Sequence, residues 1–191
     1  MTNTKPGRRA RAEQPPEALA LAMERAFIVS SSHLASPGNE DLSEFEFALT
    51  VVNHAFQRWV VRGMAAANLP DLSPLDALIL HSVNHRHRQK SISDLMFTLN
   101  LSERHYLNYA MKKLDRLGLI TRRRDGKEVF VGTTEKGRAV CEDYARIRKV
   151  CLLELIPPDR NPGGVKIGEV AKALRVLTGF YEQASRSASS L

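Results

Sequence analysis

The sequence is poor in cysteine and in aromatic residues. Its 191 residues include two cysteines, and aromatic residues make up 6% of the chain. Cys141 and Cys151 lie ten positions apart in a segment with helical spacing. In a helix their side chains would lie on different sides, about 15 Å apart along the axis, too far for a disulfide bond within one chain. We therefore expect two reduced thiols, and the sequence leaves open whether either one senses redox state.

Long apolar runs are also missing. No stretch approaches the roughly 18 to 20 consecutive apolar residues of a membrane-spanning helix. Residues 1–17 are basic and lead into no apolar signal core. We therefore expect a cytoplasmic protein with no membrane partner.

The motifs of common enzyme classes are absent too. The chain has no glycine-rich phosphate loop, no G-x-S-x-G motif and no paired carboxylates in a recognisable arrangement. We therefore expect no catalytic residues and no cofactor, and we expect that the protein is not an enzyme.

The histidines raise the alternative of a metal site. His81 and His85 are four residues apart, a helical spacing that lets two ligands share one ion, and His54 or His87 could join them. No glutamate follows His81 in the hydrolase pattern, and no cysteine lies nearby in sequence. Histidines at the surface or at a dimer interface are therefore the expected interpretation, and we predict no metal site.

Positive charge is abundant and unevenly placed. The net charge is +7, of which residues 1–12 contribute +4 and residues 86–127 contribute +7, so that the remainder of the chain is acidic, at −4. A basic block in an otherwise acidic chain is typical of a protein that binds a phosphate backbone. A merely solvated basic surface is the alternative.

The pattern before residue 73 predicts two helices. The first is short and follows the arginine-rich and proline-rich start of the chain. The second, "EFEFALTVVNHAFQRWVVRGMAAAN", is expected to begin with a capping box of Ser43 and Glu46. Its apolar residues extend beyond one face, which indicates that its own domain or a partner chain covers more than one side.

The centre of the chain predicts three short helices and a hairpin. Ser73 with Pro74 and Ser91 with Asp94 mark the starts of the first two helices. Ser102 should cap the third helix, and its apolar residues recur at helical spacing, at Leu107, Ala110, Met111, Leu114 and Leu117. Gly118 should end that helix, Asp125-Gly126 is a two-residue hairpin signal, and Thr134 should cap the helix that follows. Three helices followed by a two-stranded wing form a winged helix-turn-helix, whose third helix can enter a DNA major groove about 12 Å wide.

The stretch "SISDLMFTLNLSERHYLNYAMKKLDRLGLITRR" resembles the helix-turn-helix of MarR-type transcription regulators, a bacterial family. The "L-x-x-x-G-L-I-x-R" exit from the third helix and the "T-T-E-K-G-R" entry to the next helix fit the same family. The resemblance implies a mainly α fold, in which long N- and C-terminal helices flank the winged helix-turn-helix and hold a homodimer together. Two departures are a turn about one residue longer before the third helix and a shorter wing that lacks the family's D-x-R motif.

Domain boundaries follow from these patterns. We expect a basic disordered arm over 1–16, a short helix and loop over 17–41, one MarR-like domain over 42–182, and a frayed tail over 183–191. Within that domain, the winged helix-turn-helix should span about 73–133, and the dimerisation helices about 43–68, 134–156 and 164–182.

The expected partner is double-stranded DNA, read by the exposed face of the third helix and held by the wing. Arg104 suits guanine and Asn108 suits adenine, whereas cations further along the helix suit phosphates. The candidate DNA-binding residues are Arg104, His105, Asn108, Tyr109, Lys112, Lys113, Arg116, Arg122, Arg123, Arg124 and Lys127. We expect a sequence-specific transcription regulator, and the alternative is a non-specific architectural or protein-interaction winged helix. The sequence leaves open a small-molecule effector and the role of the arm.

Overall fold

The computed structural model describes residues 38–156 and 164–191. The basic arm, the first short helix and the loop that begins at Pro157 lie outside these residues. The chain divides into two compact units between Phe56 and Gln57, within the first described helix. The mainly helical winged-helix fold that the sequence predicts is confirmed.

Helix α1 spans Glu40–Ala66. The prediction of a capping box at Ser43 is wrong, because Ser43 lies inside the first turn, where its backbone N–H donates to the carbonyl of Asn39 at 3.3 Å. Acidic residues fill this first turn, where negative charge interacts favourably with the helix dipole. Beyond the helix, Asn68 has a φ of +63°, which stops further helical growth.

Helices α2 and α3 begin where the sequence predicts. Helix α2 spans Pro74–Asn84 and helix α3 spans Ile92–Thr98. Ser73 and Ser91 are their N-caps, and each forms a reciprocal capping box with the aspartate three residues later. A 3-10 turn, His85–His87, and a two-residue strand β1, Lys90–Ser91, connect the two helices.

Helix α4, Arg104–Arg116, is the third helix of the core. Ser102 does not cap it, because the N-cap position falls on Glu103, whose side chain makes no capping hydrogen bond. At the other end, the Leu119 N–H donates to the Leu114 carbonyl at 3.0 Å and the Gly118 N–H to the Asp115 carbonyl at 2.9 Å. Gly118 has a φ of +69°, as this glycine-dependent helix ending requires.

The wing follows at once, as strands β2, Ile120–Asp125, and β3, Glu128–Thr133. Asp125 pairs with Glu128, so the two turn residues are Gly126 and Lys127, one position later than the predicted Asp125-Gly126. Gly126 has a φ of +58°, and a two-residue hairpin turn favours glycine at that first position. The sheet has three strands in the order β1-β3-β2, because the two-residue β1 also pairs with β3 and is too short to leave a sequence pattern.

Helix α5 spans Glu135–Arg148 with Thr134 as its predicted N-cap, and a single π-helical turn, Lys149–Leu153, continues it. Helix α6 spans Ile167–Ala188 and so extends six residues past the expected boundary at 182. Residues 38–156 and 164–191 contain no helix long and apolar enough to cross a membrane.

The core of the second unit lies between α2, α4 and the inner face of the wing, and α5 covers its edge. Its largest fully buried side chains are Met64, Ile79, Leu80, Leu95, Leu107, Met111, Leu114, Leu119, Val83 and Val131. Because α4 contributes three of these ten anchors, its orientation is fixed by packing and its opposite face is turned outward.

Candidate nucleic-acid interface

Helix α4 has one buried face and one exposed face. Leu107, Ala110, Met111 and Leu114 are buried, as the spacing predicts. The opposite face carries polar, cationic and aromatic side chains at five exposed positions, Arg104, His105, Tyr109, Lys112 and Arg116, with Asn108 half-buried beside them. The exposed face of the helix is therefore rich in hydrogen-bond donors, and its buried face is apolar.

Lys113 differs from the other predicted DNA-binding residues of this helix, because its charge is paired within the protein. Its side chain is 21% exposed, and its Nζ lies 2.9 Å from Oδ2 of Asp76, whose side chain is 4% exposed. The same ammonium donates to the backbone carbonyl of Asp71. Asp71 and Asp76 lie at or just before the start of α2. The Lys113 ammonium therefore links α4 to the start of α2.

Tyr106, at the start of α4, was missed by the sequence interpretation, whereas Tyr109 is among the predicted DNA-binding residues. Tyr106 is 56% exposed and Tyr109 is 75% exposed. The His105 and Tyr106 rings lie 4.0 Å apart between centroids, and Nδ1 of His105 is 3.4 Å from the Glu103 carboxylate. Tyr106 precedes Tyr109 by three residues, the spacing that places two side chains on one helix face. This spacing in the sequence could have shown that the two rings lie side by side.

The wing carries its arginines on exposed strand positions. Arg122 pairs with Asp115 of α4, and Arg123 lies 3.3 Å from Asp125. The guanidinium carbon of Arg123 also lies 5.7 Å from the centroid of the Phe130 ring. Exposed ion pairs of this kind contribute about 0 to 1 kcal/mol, so a phosphate can replace either carboxylate at little cost.

The tip of the wing adds two more cations. Nε of Arg124 donates to the carbonyl of Gly126 at 3.2 Å, and Lys127 is exposed in the turn. The predicted residues Arg122, Arg123, Arg124 and Lys127 are thus all exposed, beside the end of α4. Helix and wing together form one basic surface.

A cluster of titratable side chains lies where α2 packs against α5. The His81 and Tyr144 rings lie 4.6 Å apart, and those of Tyr144 and Trp59 lie 6.3 Å apart. Burial lowers the pKa of His81 and raises the pKa of Tyr144, and burial together with Glu142 raises the pKa of Cys141 to about 11. Cys141 is therefore a protonated thiol at neutral pH.

Metal ligands do not cluster in the described part of the chain. Residues 38–156 and 164–191 contain no group of three or more His, Cys, Asp or Glu side chains that could hold a metal ion. His81 faces Tyr144, whereas His85 is exposed in the 3-10 turn that follows α2.

Comparison with known proteins agrees with this fold. Residues 72–137 match the family model of the winged helix DNA-binding domain. No curated protein sequence gives a significant match.

Solved structures share the fold at low sequence identity. A MarR transcriptional regulator from Methanosarcina mazei is 16% identical, with a TM-score of 0.57 over 73% of this chain and 90% of that one. A mutant MarR from E. coli, complexed with operator DNA, is 17% identical, with a TM-score of 0.55 over 76% and 99%. CouR from Rhodococcus jostii, bound to p-coumaroyl-CoA, is 14% identical, with a TM-score of 0.57 over 70% and 90%. The resemblance to MarR-type regulators is thereby confirmed at the level of the fold.

Proposed function

We propose that this protein is a MarR-type transcription regulator that binds double-stranded DNA sequence-specifically as a homodimer. In this proposal α4 enters the major groove and the wing follows the backbone or the minor groove. The observation that carries it is the continuous exposed basic surface of α4 and the wing, on a fold whose wing lies beside its third helix. The proposal excludes a catalytic role for this surface.

The position of each side chain on α4 supports a division of labour. Arg104 is the first residue of the helix and Asn108 lies one turn later, so both are near the end that a helix-turn-helix directs at base edges. Lys112 and Arg116 lie further along and are assigned to phosphates. We assign Lys113 to positioning of the helix, because its ammonium is paired with Asp76.

Exposed apolar side chains on the flanking helices support the homodimer. Val51, Val52 and Phe56 of α1 are 51%, 58% and 48% exposed, and Phe180 of α6 is 67% exposed. Helix α6 has no buried residue along its 22 residues. Soluble proteins rarely leave such an apolar surface uncovered, and a second copy of the chain offers the matching surface.

Non-specific DNA binding and protein scaffolding are the competing functions. A winged helix that binds only proteins has no need of exposed cations along its third helix, so the charge of α4 and the wing favours DNA. We leave a small-molecule effector out of the proposal, because CouR with its p-coumaroyl-CoA is only 14% identical to this chain.

The test is to select a preferred duplex from genomic or random DNA and then to compare two variants on that duplex and on a scrambled one. Arg104→Ala should cost about 1 to 3 kcal/mol on the selected site only, because it removes a contact to one base pair. Lys112→Ala should weaken both duplexes equally and lower the slope of log affinity against log salt by about one.

Two results would count against the proposal. Failure to enrich any sequence would indicate non-specific binding. A wild-type affinity that does not change between about 50 and 200 mM salt would mean that the basic surface contacts no phosphates, since several phosphate contacts lower the affinity by orders of magnitude over this range.

A further inference from the structure

The outer face of the wing carries a polar cleft that α4 and its DNA-reading face do not explain. In the strand register, Ile120, Arg122 and Val131 lie on the inner face of the sheet, toward the core and α4. Paired residues share a face and neighbours alternate, so Thr121 and its partner Gly132 lie on the outer face. The sheet therefore separates this cleft from α4.

Three segments of the chain form the walls of the cleft. Its lining residues are Arg88, Gln89, Thr121, Gly132, Thr133 and Arg138. Arg88 and Gln89 precede β1, and Arg138 lies in the first turn of α5. A Cβ on Gly132 would lie 3.4 Å from both the Gln89 Cγ and the Thr121 Oγ1, so the missing side chain keeps the floor of the cleft open.

The arginines of the cleft have no carboxylate partner. Among residues 38–156 and 164–191, no Asp or Glu oxygen lies within 4.0 Å of the guanidinium nitrogens of Arg88 or Arg138. Within this described part of the chain, the Arg138 guanidinium donates to the backbone carbonyl of Thr133, at 3.4 Å. The Gln89 amide adds a neutral donor to the two uncompensated charges, whereas the Thr121 hydroxyl lines the cleft and donates to the Gly132 carbonyl at 3.4 Å. Such a set matches an oxyanion, because planar guanidinium groups bind phosphate through paired hydrogen bonds.

The size of the cleft narrows the choice of ligand. Its volume is about 200 Å³, below the roughly 300 to 1,000 Å³ of pockets for drug-sized molecules and equal to about seven waters of ~30 Å³ each. A phosphate group, alone or with a small substituent, fits this space.

We propose that the cleft lined by Arg88, Gln89, Thr121, Gly132 and Arg138 binds a small phosphate-type oxyanion. We assign a free anion as the ligand, because the sheet separates the cleft from α4. A backbone phosphate that the wing reaches is the alternative, and duplex binding by Arg88→Gln tests it. This anion site does not depend on the proposed function, because all the residues that would bind the anion belong to this chain and are in place without DNA.

Titration calorimetry of the full chain with inorganic phosphate, in chloride buffer of constant ionic strength, tests the site. Arg88→Gln and Arg138→Gln should each weaken binding about tenfold or more, because each removes a charge-assisted contact. Gly132→Ala should weaken it several-fold without any change of charge, because the methyl group fills the floor. The matched control is Arg146→Gln, which makes the same charge change on α5 outside the cleft and should retain wild-type affinity.

The outcomes separate the alternatives. Thermal unfolding of each variant checks that the wing is intact. If an arginine variant unfolds, Gly132→Ala still tests the cleft, because it changes no charge. Absence of phosphate binding at millimolar concentration, or an equal loss in Arg146→Gln, overturns the proposal. If Arg88→Gln weakens duplex binding in phosphate-free buffer as strongly as it weakens phosphate binding, the anion is a DNA phosphate and the free-ligand assignment is wrong.

Discussion

At the residue scale, Gly137 allows a close packing contact between α5 and the base of the wing. It lies in the first turn of α5, where its N–H donates to the hydroxyl oxygen of the Thr134 cap at 3.0 Å. A Cβ at this position would lie 2.1 Å from the carbonyl oxygen of Leu119 and 2.9 Å from Cγ2 of Thr133. Backbone cannot yield as a flexible side chain does, so only glycine allows α5 to pass this close to the base of the wing.

We expect Gly137→Ala to lower the free energy of unfolding by about 3 kcal/mol, the upper part of the range for overpacking. Urea unfolding followed by circular dichroism measures this loss. Gly168→Ala in α6 is the control, because, beyond its chain neighbours and the backbone of its own helix, its Cβ would meet no atom of the described chain within 4 Å. Helix propensity alone should make that change neutral or stabilising by up to about 1 kcal/mol. Equal stability of the two variants would show that the contact at Leu119 relaxes without cost.

His81 is a second residue whose surroundings set a measurable property. Its buried Nε2 has no hydrogen-bond partner among residues 38–156 and 164–191, and its ring packs against Tyr144. Burial lowers its pKa in the folded protein from the ordinary value of 6.5. The unfolded chain therefore binds a proton more readily than the folded one, so the contribution of His81 to stability is fully present above pH 6.5 and declines as the pH falls below it.

Replacing this histidine should flatten the acid side of the stability profile. We expect His81→Phe, which keeps a ring against Tyr144 and removes the titration, to lose less stability than the wild type between pH 7.5 and 5.5. Thermal unfolding at intervals of pH measures the two slopes. His105→Gln, a change at an exposed histidine, is the control and should follow the wild-type slope. Parallel slopes for wild type and His81→Phe would mean that other groups cause the acid sensitivity.

Lys113 connects two elements, and its role differs from that of its neighbour Lys112. Asp76 accepts from the Ser73 N–H at 2.8 Å and from Lys113 at 2.9 Å, so one nearly buried carboxylate serves both the cap of α2 and the attachment of α4. Removal of the ammonium leaves that carboxylate with its backbone donor alone. Truncating one partner of a buried charge pair costs several kcal/mol, and the partial exposure of Lys113 reduces this figure.

We therefore expect Lys113→Ala to destabilise the fold by about 1 to 3 kcal/mol. Lys112→Ala should change stability by less than about 0.5 kcal/mol, because Lys112 is exposed. Chemical unfolding of both variants without DNA distinguishes them. If Lys113→Ala is as stable as Lys112→Ala, the contact with Asp76 contributes nothing and Lys113 is available to DNA.

Most elements could be predicted because their signals are local. The caps at Ser73, Ser91 and Thr134 and the glycine at the end of α4 depend on a few adjacent residues, and all four are confirmed. The capping box at Ser43 failed because several polar and acidic residues before it offer competing starts. The inward turn of Lys113 depends on Asp76, 37 residues away, and no local spacing reports such a contact.

At the scale of the whole molecule, α6 exposes apolar side chains that the described part of its own chain does not cover. Its half-buried positions Ala171, Leu174 and Leu177 recur every three residues and lie on one face. Val176 and Phe180 lie on another side of the helix and are 62% and 67% exposed. A helix that is apolar on more than one side needs a second cover, and in the proposed homodimer the partner chain supplies it.

Phe180→Asp should therefore convert a dimer into a monomer. We expect the wild type to sediment as a dimer at micromolar concentration. A charge placed in the apolar interface should weaken association by about 100-fold or more, because an unpaired buried charge costs several kcal/mol. Arg175→Gln, which also lowers the net charge by one but lies on the polar side of α6, should leave the dimer intact. Only the Phe180 variant should lose affinity for a two-site duplex, since dimer symmetry sets two α4 helices about 34 Å apart. A wild type that sediments as a monomer, or a Phe180→Asp variant that remains dimeric, would remove α6 from the interface.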